Sequence, residues 1–293
     1  MSQHANDDVY ARLAGAQVKL TPKMVDLAAF ISAHHVQAAF MSTRQLADAA
    51  GVSRATVTRF PEVLGYRNFD EFRAALQDRV SFDLSAVEHL RMLPAGDESS
   101  LARLRRTIAL DIESLQALAH TIAEPDLDRF IEVLIETGRV VIVGFRLASP
   151  LAWHFWYSLR KVRPNTDVWT HADSWLFDDV RLMDAGTVMV VVASARYATE
   201  TVALAAYAHR VGLRVLAITD SPLSPILRSA DVALFARSPR LDFVGSLTAP
   251  IALINCIVSQ VAVRLGDRAL TRLEALEESA GAANAYVLPT DPR

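Results

Sequence analysis

Four short, almost wholly apolar runs constrain this chain more than anything else in it: "RVVIVG" (139–144), "TVMVVVAS" (187–194), "RVLAITD" (214–220) and "DVALFA" (231–236). The first three alternate with helix-patterned segments such as "TETVALAAYAHRVG". Strands that are apolar on both sides and separated by helices belong in a parallel sheet covered on both faces. A doubly wound α/β domain is therefore expected over about residues 101–280.

The preceding residues carry no such runs. At 293 residues, 52% of them apolar, the chain has material for two cores. Residues 1–80 read as an all-α domain, residues 81–100 as a linker around Pro94-Ala-Gly96 and "DESS", and residues 281–293 as a mobile tail. The fold class expected is α/β with an N-terminal all-α domain. A net charge of −3 argues against a uniformly basic nucleic-acid coat and leaves a locally basic face open. The single cysteine, Cys256, excludes an internal disulfide framework, and its flanks "IALINCIVSQVAV" read as a buried helix. "MSQHANDDVYARL" lacks an apolar signal core, and no run reaches the roughly 20 apolar residues of a membrane span, so a cytoplasmic protein with no membrane partner is expected.

Within the N-terminal region, Thr21-Pro22 reads as N-cap and N1 proline of a helix with Val25, Ala28, Ala29 and Ile31 on one face. Ser42-Thr-Arg-Gln45 is a capping box, starting a helix with Leu46, Ala49 and Ala50, and Gly51 ends it. Ser53 caps a third helix in which Val57, Phe60 and Leu64 face inward, Gly65 stops it, and Asn68-Phe-Asp-Glu71 caps a fourth. Two short helices joined through Gly51, the second opening with Ser53, Arg54, Thr56, Thr58 and Arg59, have the layout of a helix-turn-helix. Short hydroxyls there can meet phosphates or bases, and an arginine can fork onto guanine. With Thr43 and Arg44 at the start of the first helix, these are the candidate DNA-binding residues. Residues 41–80 hold six Arg and five Asp/Glu, so charge alone does not separate this reading from an ordinary helical hairpin.

The segment "MSTRQLADAAGVSRATVTRFPEVLGYRNFDEFRAAL" resembles the N-terminal domain of RpiR/MurR-type transcriptional regulators, with "LA", "GVS.AT..RF", "LG" and "F..F" in that order. The second half resembles the sugar isomerase (SIS) domain that follows in that family, through "RVVIVGFRLAS", "RVLAITDSPLSPILRSADVALFA" and "SLTAPIALINCIV". The resemblance covers about residues 20–265 and implies a regulator that binds operator DNA and a phosphosugar-like effector. One departure is Pro61, which removes a backbone donor inside the recognition helix and should kink or end it.

The effector loops depart further. SIS domains commonly carry a first loop like G-x-G-x-S and a second like S-x-S-G-x-T, whose hydroxyls and amides hold phosphate. Counting from Gly144 places Arg146 at the second glycine and Ala148 at the serine. Counting back from Gly212 places Ala193, Ala195 and Ala198 on the three hydroxyl positions of the second loop and Arg196 on its glycine. Four hydroxyls are lost and two arginines gained. Ser149 and Ser194 stand one position from lost hydroxyls. Arginine binds carboxylate or phosphate through a planar fork, so a small anionic metabolite is expected: a sugar phosphate, a sugar acid or a related carboxylate. The candidate ligand-binding residues are Gly144, Arg146, Ser149, Ser194, Arg196, Tyr197, Thr219, Asp220 and Ser224. The competing reading pairs Arg146 and Arg196 with Asp173, Asp178 or Asp179 as structural bridges.

No cofactor and no metal ligand set is expected: His154 and His209 lack partners at suitable spacing, and no P-loop, CxxC pair or Ser-His-Asp order occurs. Trp153, Trp156 and Tyr157 read as a core or interface stripe. The helix from Ser246 to Leu265 is nearly apolar all round, which predicts burial between subunits of a homodimer or homotetramer. Two other functional readings remain at this point. A phosphosugar isomerase with an accessory helical domain would need a general base, for which Glu200 is the loop candidate. A metabolite-sensing module without DNA activity would leave the Ser53–Arg59 pattern unexplained.

Overall fold

A computed structural model describes residues 9, 12, 20–83, 86–91, 99–241 and 243–286. Its elements fall into two compact units, Met1–Ala95 and Gly96–Arg293.

In the first unit, α1 (Pro22–Ala33), α2 (His35–Phe40), α3 (Thr43–Ala50), α4 (Arg54–Val63) and α5 (Phe69–Asp83) enclose a core that includes Leu27, Ile31, Leu46, Val57, Phe60 and Phe72. Phe60 meets Phe72 edge to face at 5.7 Å, an arrangement that adds to the roughly 1.5–3 kcal/mol each buried ring contributes. The inward face of α1 is Met24, Leu27 and Ile31; Val25, expected to face inward, is 48% exposed. The longer Met and Leu side chains bury more apolar surface than the Val/Ala set, and they decide the helix rotation. In α3, Ala47 is buried and Ala49 is exposed, again one position from the expected face.

The turn chemistry is as expected. Ser42 and Gln45 form the reciprocal capping box, Gly51 is left-handed at φ 63°, and Ser53 Oγ accepts from the Thr56 N–H at 3.1 Å. Asn68 Oδ1 accepts from the Glu71 N–H at 2.9 Å. Pro61 does not break α4. The helix passes through it to Val63, because the ring is buried and only the last turn loses a bond. The segment 81–100 is not a continuous irregular linker either. Residues 81–83 complete α5 and Ala86–Arg91 form α6, whose sequence holds no Gly or Pro; residues 84–85 and 92–98 lie outside the described set.

The second unit opens with α7 (Ser100–Thr121), capped by Ser99, and α8 (Glu124–Glu136). It then alternates β1 (Arg139–Val143), α9 (Ser149–Leu159), β2 (Thr166–Trp169), α10 (Leu176–Leu182), β3 (Thr187–Ala193), α11 (Thr199–Arg210), β4 (Arg214–Thr219) and β5 (Val232–Phe235). The five strands form one parallel sheet in the order β2-β1-β3-β4-β5. Alternate residues feed opposite cores: Val140 and Ile142 pack with residues of α8, α9 and α12, and Val141 and Val143 with residues of α10 and α11. A two-stranded hairpin, β6 (Arg240–Leu241) and β7 (Val244–Gly245), precedes α12 (Thr248–Leu265) and α13 (Asp267–Ala282). Gly281 and Ala282, placed in the tail by sequence, belong to α13; residues 287–293 lie outside the described set.

Helix α12 is less apolar outward than expected. Ala249, Leu253, Ile254, Ile257 and Val261 are buried, whereas Asn255, Ser259 and Gln260 are exposed and Arg264 pairs with Asp128. Cys256 is exposed, not buried, because it falls on that outward face. Among the described residues α12 is the one helix long and apolar enough to cross a membrane, and its buried face belongs to the domain core.

One arginine holds an element in place without any acid. Arg163 is 5% exposed and donates to Leu134 O (2.5 Å), Pro164 O (3.1 Å) and Thr137 O, at the C-terminal end of α8. Burial, with Arg268 nearby, keeps its pKa below the usual arginine value. Arg163→Ala leaves buried carbonyls unsatisfied and should destabilise this unit by about 3 kcal/mol or more. Thermal denaturation should show a fall in Tm of roughly 6–12 °C for a domain of this size.

Candidate functional site

The surface formed by α3 and α4 is built around two caps. Ser53 Oγ caps α4 and lies 2.9 Å from Thr56 Oγ1, Thr58 Oγ1 donates back to Arg54 O at 3.0 Å, and Arg54 Nε donates to Thr43 Oγ1 at 3.3 Å. The hydroxyls singled out by sequence thus hold the turn and tie α3 to α4. That local role explains their number at the helix start. The exposed groups left to reach a partner are the remaining N–H donors of Arg54, Arg59, and Arg44, which is only 4.0 Å from Asp48. All lie within one turn of the helix opening or on the next, the geometry by which a recognition helix enters a major groove.

The second candidate site lies at the carboxyl ends of β1, β3 and β4. The strand order reverses between β1 and β3, with β2 laid on one side of β1 and β3 to β5 on the other, and ligands of open α/β sheets bind at that crevice. After β1, a Cβ on Gly144 would stand 2.8 Å from Ala148 O and Ala152 Cβ, so glycine is required for the turn to pass this close. Arg146 then adopts φ 55°, a left-handed conformation that favours glycine. This is the position at which the sequence count put arginine in place of glycine. The backbone demand of the loop has been kept while the residue changed.

After β3, the loop Ser194–Ala198 is held by the β4 loop. Asp220 Oδ2 accepts from the Ala195 N–H (2.8 Å) and Oδ1 from the Tyr197 hydroxyl (2.8 Å). Burial raises the pKa of Asp220 against the opposing effect of these bonds, and burial beside that carboxylate also raises the pKa of Tyr197. Ser224, 4% exposed, faces Tyr197, and its Oγ has no well-formed hydrogen bond; neither does the buried Ser194 Oγ. Thr219 is buried at the end of β4, 3.5 Å from Asp220. Ser149 begins α9 without acting as a side-chain cap.

Arg146 and Arg196 are both exposed. Among the described residues neither forms an ion pair with Asp173, Asp178 or Asp179, so the structural-bridge reading finds no support. No group of three or more His, Cys, Asp or Glu suited to a metal occurs among the described residues.

The architecture matches known domains at both ends. The rpiR-family helix-turn-helix domain matches residues 8–83, and the SIS domain matches residues 133–260. The chain belongs to the RpiR family.

This RpiR-family chain is similar to the sugar isomerase domain of an RpiR transcription factor from Sphaerobacter thermophilus: 27% identity, 60% of this chain and 98% of that chain covered, TM-score 0.58. It is also similar to the Vibrio vulnificus NanR protein complexed with ManNAc-6P, at 18% identity over 93% of this chain and 98% of that one, TM-score 0.56. A candidate sugar-phosphate isomerase from Listeria monocytogenes matches at 17% identity over 57% and 93% of the two chains, TM-score 0.50. The last two likenesses concern the fold alone.

One participant in the loop geometry escaped sequence reasoning. Arg240, on β6, donates from Nη2 to Ala195 O at 2.8 Å. Burial, then the nearby Arg196, lower its pKa, while Asp220 raises it. Its hairpin is two residues per strand, below the length at which alternation is readable.

Proposed function

We propose that the chain is a cytoplasmic transcriptional regulator that binds operator DNA as a homo-oligomer through α3 and α4, with an affinity set by a small anionic metabolite held at the ends of β1, β3 and β4. The observation that carries this reading is the pair of exposed arginines, Arg146 and Arg196, unpaired by acids and placed on the two loops that flank the strand-order reversal. Hydroxyl-rich phosphosugar loops are replaced here by arginine and alanine. A guanidinium fork takes either a carboxylate or a phosphate, so the site suits a small anion of either kind rather than only a phosphosugar such as the ManNAc-6P bound by the Vibrio protein.

Regulation rather than isomerisation is supported by the state of Asp220. Both of its oxygens are engaged by the Ala195 N–H and the Tyr197 hydroxyl, and Glu200 lies exposed in the first turn of α11. A route toward the N-terminal unit also starts here. Arg240 holds the effector loop; the hairpin continues into Ser246 and Thr248, which donate to Asp111 at 2.5 and 2.9 Å. Asp111 sits on α7, the first helix after the connection to the DNA-binding unit. Exposed Leu101, Leu104, Ile108 and Ile112 along α7, and the stacked pair Trp153 and Tyr157 on α9, support association with a second copy.

Selection of bound duplexes from a randomised pool by the full chain tests the DNA half. Enrichment of a sequence with two related half-sites about one helical turn apart is the expected result. An unenriched pool would reject operator recognition.

A further inference from the structure

The hairpin β6–β7 touches both effector loops. On one side Arg240 donates to Ala195 O, and on the other a Cβ at Gly245 would stand 3.1 Å from Leu147, in the turn that follows β1. Arg240 therefore stands on a hairpin that meets both loops, half-exposed, next to the β3 loop through Ala195 and close enough to Arg196 for the two cations to affect each other. Two guanidinium groups gathered in a partly desolvated place are unfavourable unless an anion joins them. Asp220, the carboxylate that acts on Arg240 among the described residues, already accepts from Ala195 and Tyr197. Among the described residues Arg240 uses one nitrogen, Nη2, on Ala195 O, so most of its five N–H donors remain toward the loops. Ser224 Oγ, buried beside Tyr197 on the same side of the β3 loop's anchor, makes no well-formed hydrogen bond.

We propose that Arg240 is a specificity-determining effector residue, which with Arg196 grips a single carboxylate or phosphate group between the hairpin and the β3 loop. This rests on the reading of that crevice as an anion site. The short hairpin is then part of the site, and the anion replaces the repulsion between the guanidiniums with paired hydrogen bonds to both. Because the hairpin leads directly into Ser246 and the Asp111 contact, occupancy at Arg240 is also the step nearest the start of the route described above.

The test is a thermal-shift titration of the full chain with inorganic phosphate, at ionic strength matched with chloride. The wild type should show a saturable upward shift. Arg196→Gln and Arg240→Gln should each weaken the apparent phosphate affinity at least tenfold, while Arg210→Gln, at the far end of α11, should leave it unchanged. Arg240→Lys keeps a donor for Ala195 O and so guards against mere loss of the hairpin contact; it should retain the parent's ligand-free Tm yet bind phosphate as weakly as Arg240→Gln. If Arg196→Gln loses phosphate while both Arg240 variants bind it as the parent does, the anion site stands and the role of Arg240 is overturned. If no saturable shift occurs in the wild type, or all variants respond as it does, the anion-site reading falls together with this one.

Discussion

Replacing Arg54 and Thr56 together by alanine should remove sequence preference from DNA binding without unfolding the N-terminal unit. Arg54 leads the recognition helix, is exposed, and uses only its Nε on Thr43, which leaves both terminal nitrogens for a base edge. A lost bidentate contact of this kind removes about 1–3 kcal/mol, or about 5–150-fold in affinity per half-site. Thr56 contributes less, since its hydroxyl already lies against Ser53 and the cap itself uses the Thr56 backbone N–H. The preserved cap is why the double variant should fold. Arg44→Ala, on α3 rather than on the recognition helix, serves as contrast: loss of a phosphate contact there should weaken all duplexes alike and reduce the salt slope by about one. Fluorescence anisotropy on a selected duplex and on a scrambled one measures both, and unchanged discrimination in the double variant would remove α4 from the reading head.

Effector binding should fail through Arg146 and Arg196, and with an informative effect on stability. Arg146→Ala and Arg196→Ala should each weaken the effector by roughly tenfold or more, consistent with loss of a charge-assisted fork at about 1.5–3 kcal/mol. The double variant should lose less than the sum because both contacts share one ligand. Arg146 also occupies a left-handed backbone position that disfavours any side chain. Arg146→Gly should therefore lose the effector and yet be more stable than the parent, by up to about 1 kcal/mol. A residue kept for structure alone would give the opposite sign. Calorimetric titration and thermal denaturation on the same samples decide the point. Full-strength effector binding by Arg146→Gly would show that the arginine plays no part in recognition.

Much of this molecule is written locally. The runs that became β1, β3 and β4 were legible because each is buried on both faces, which leaves no polar alternation to mislead; β5, at the sheet edge, alternates buried and half-buried residues that are nonetheless all apolar. The caps at Ser42 and Ser53, and the turn at Gly51, depend on residues within four positions of one another. What escaped depends on neighbours distant in the chain. The strand β2 is an edge strand with Thr166 and Asp167 half-buried, so its pattern is weak. The rotation of α1 follows from which side chains best fill the core against α4. At the candidate site, Gly144, Arg146 and Arg196 were legible by counting from fixed glycines. Arg240 was not, because it approaches the loop from 45 residues away on a hairpin without a motif. In α12 the aliphatic residues divide between the domain core and an outward face, where Asn255, Ser259 and Gln260 stand exposed; composition alone does not show that division.

The central claim is that one anion controls DNA binding from the other unit. Its most direct measurement is the operator affinity of the full chain with and without a saturating effector, paired with the effector affinity with and without operator. The two ratios should be equal, at about 5–150-fold, as linkage requires for two sites on one coupled molecule. Equal operator affinity at zero and saturating effector, with the effector demonstrably bound, would contradict it.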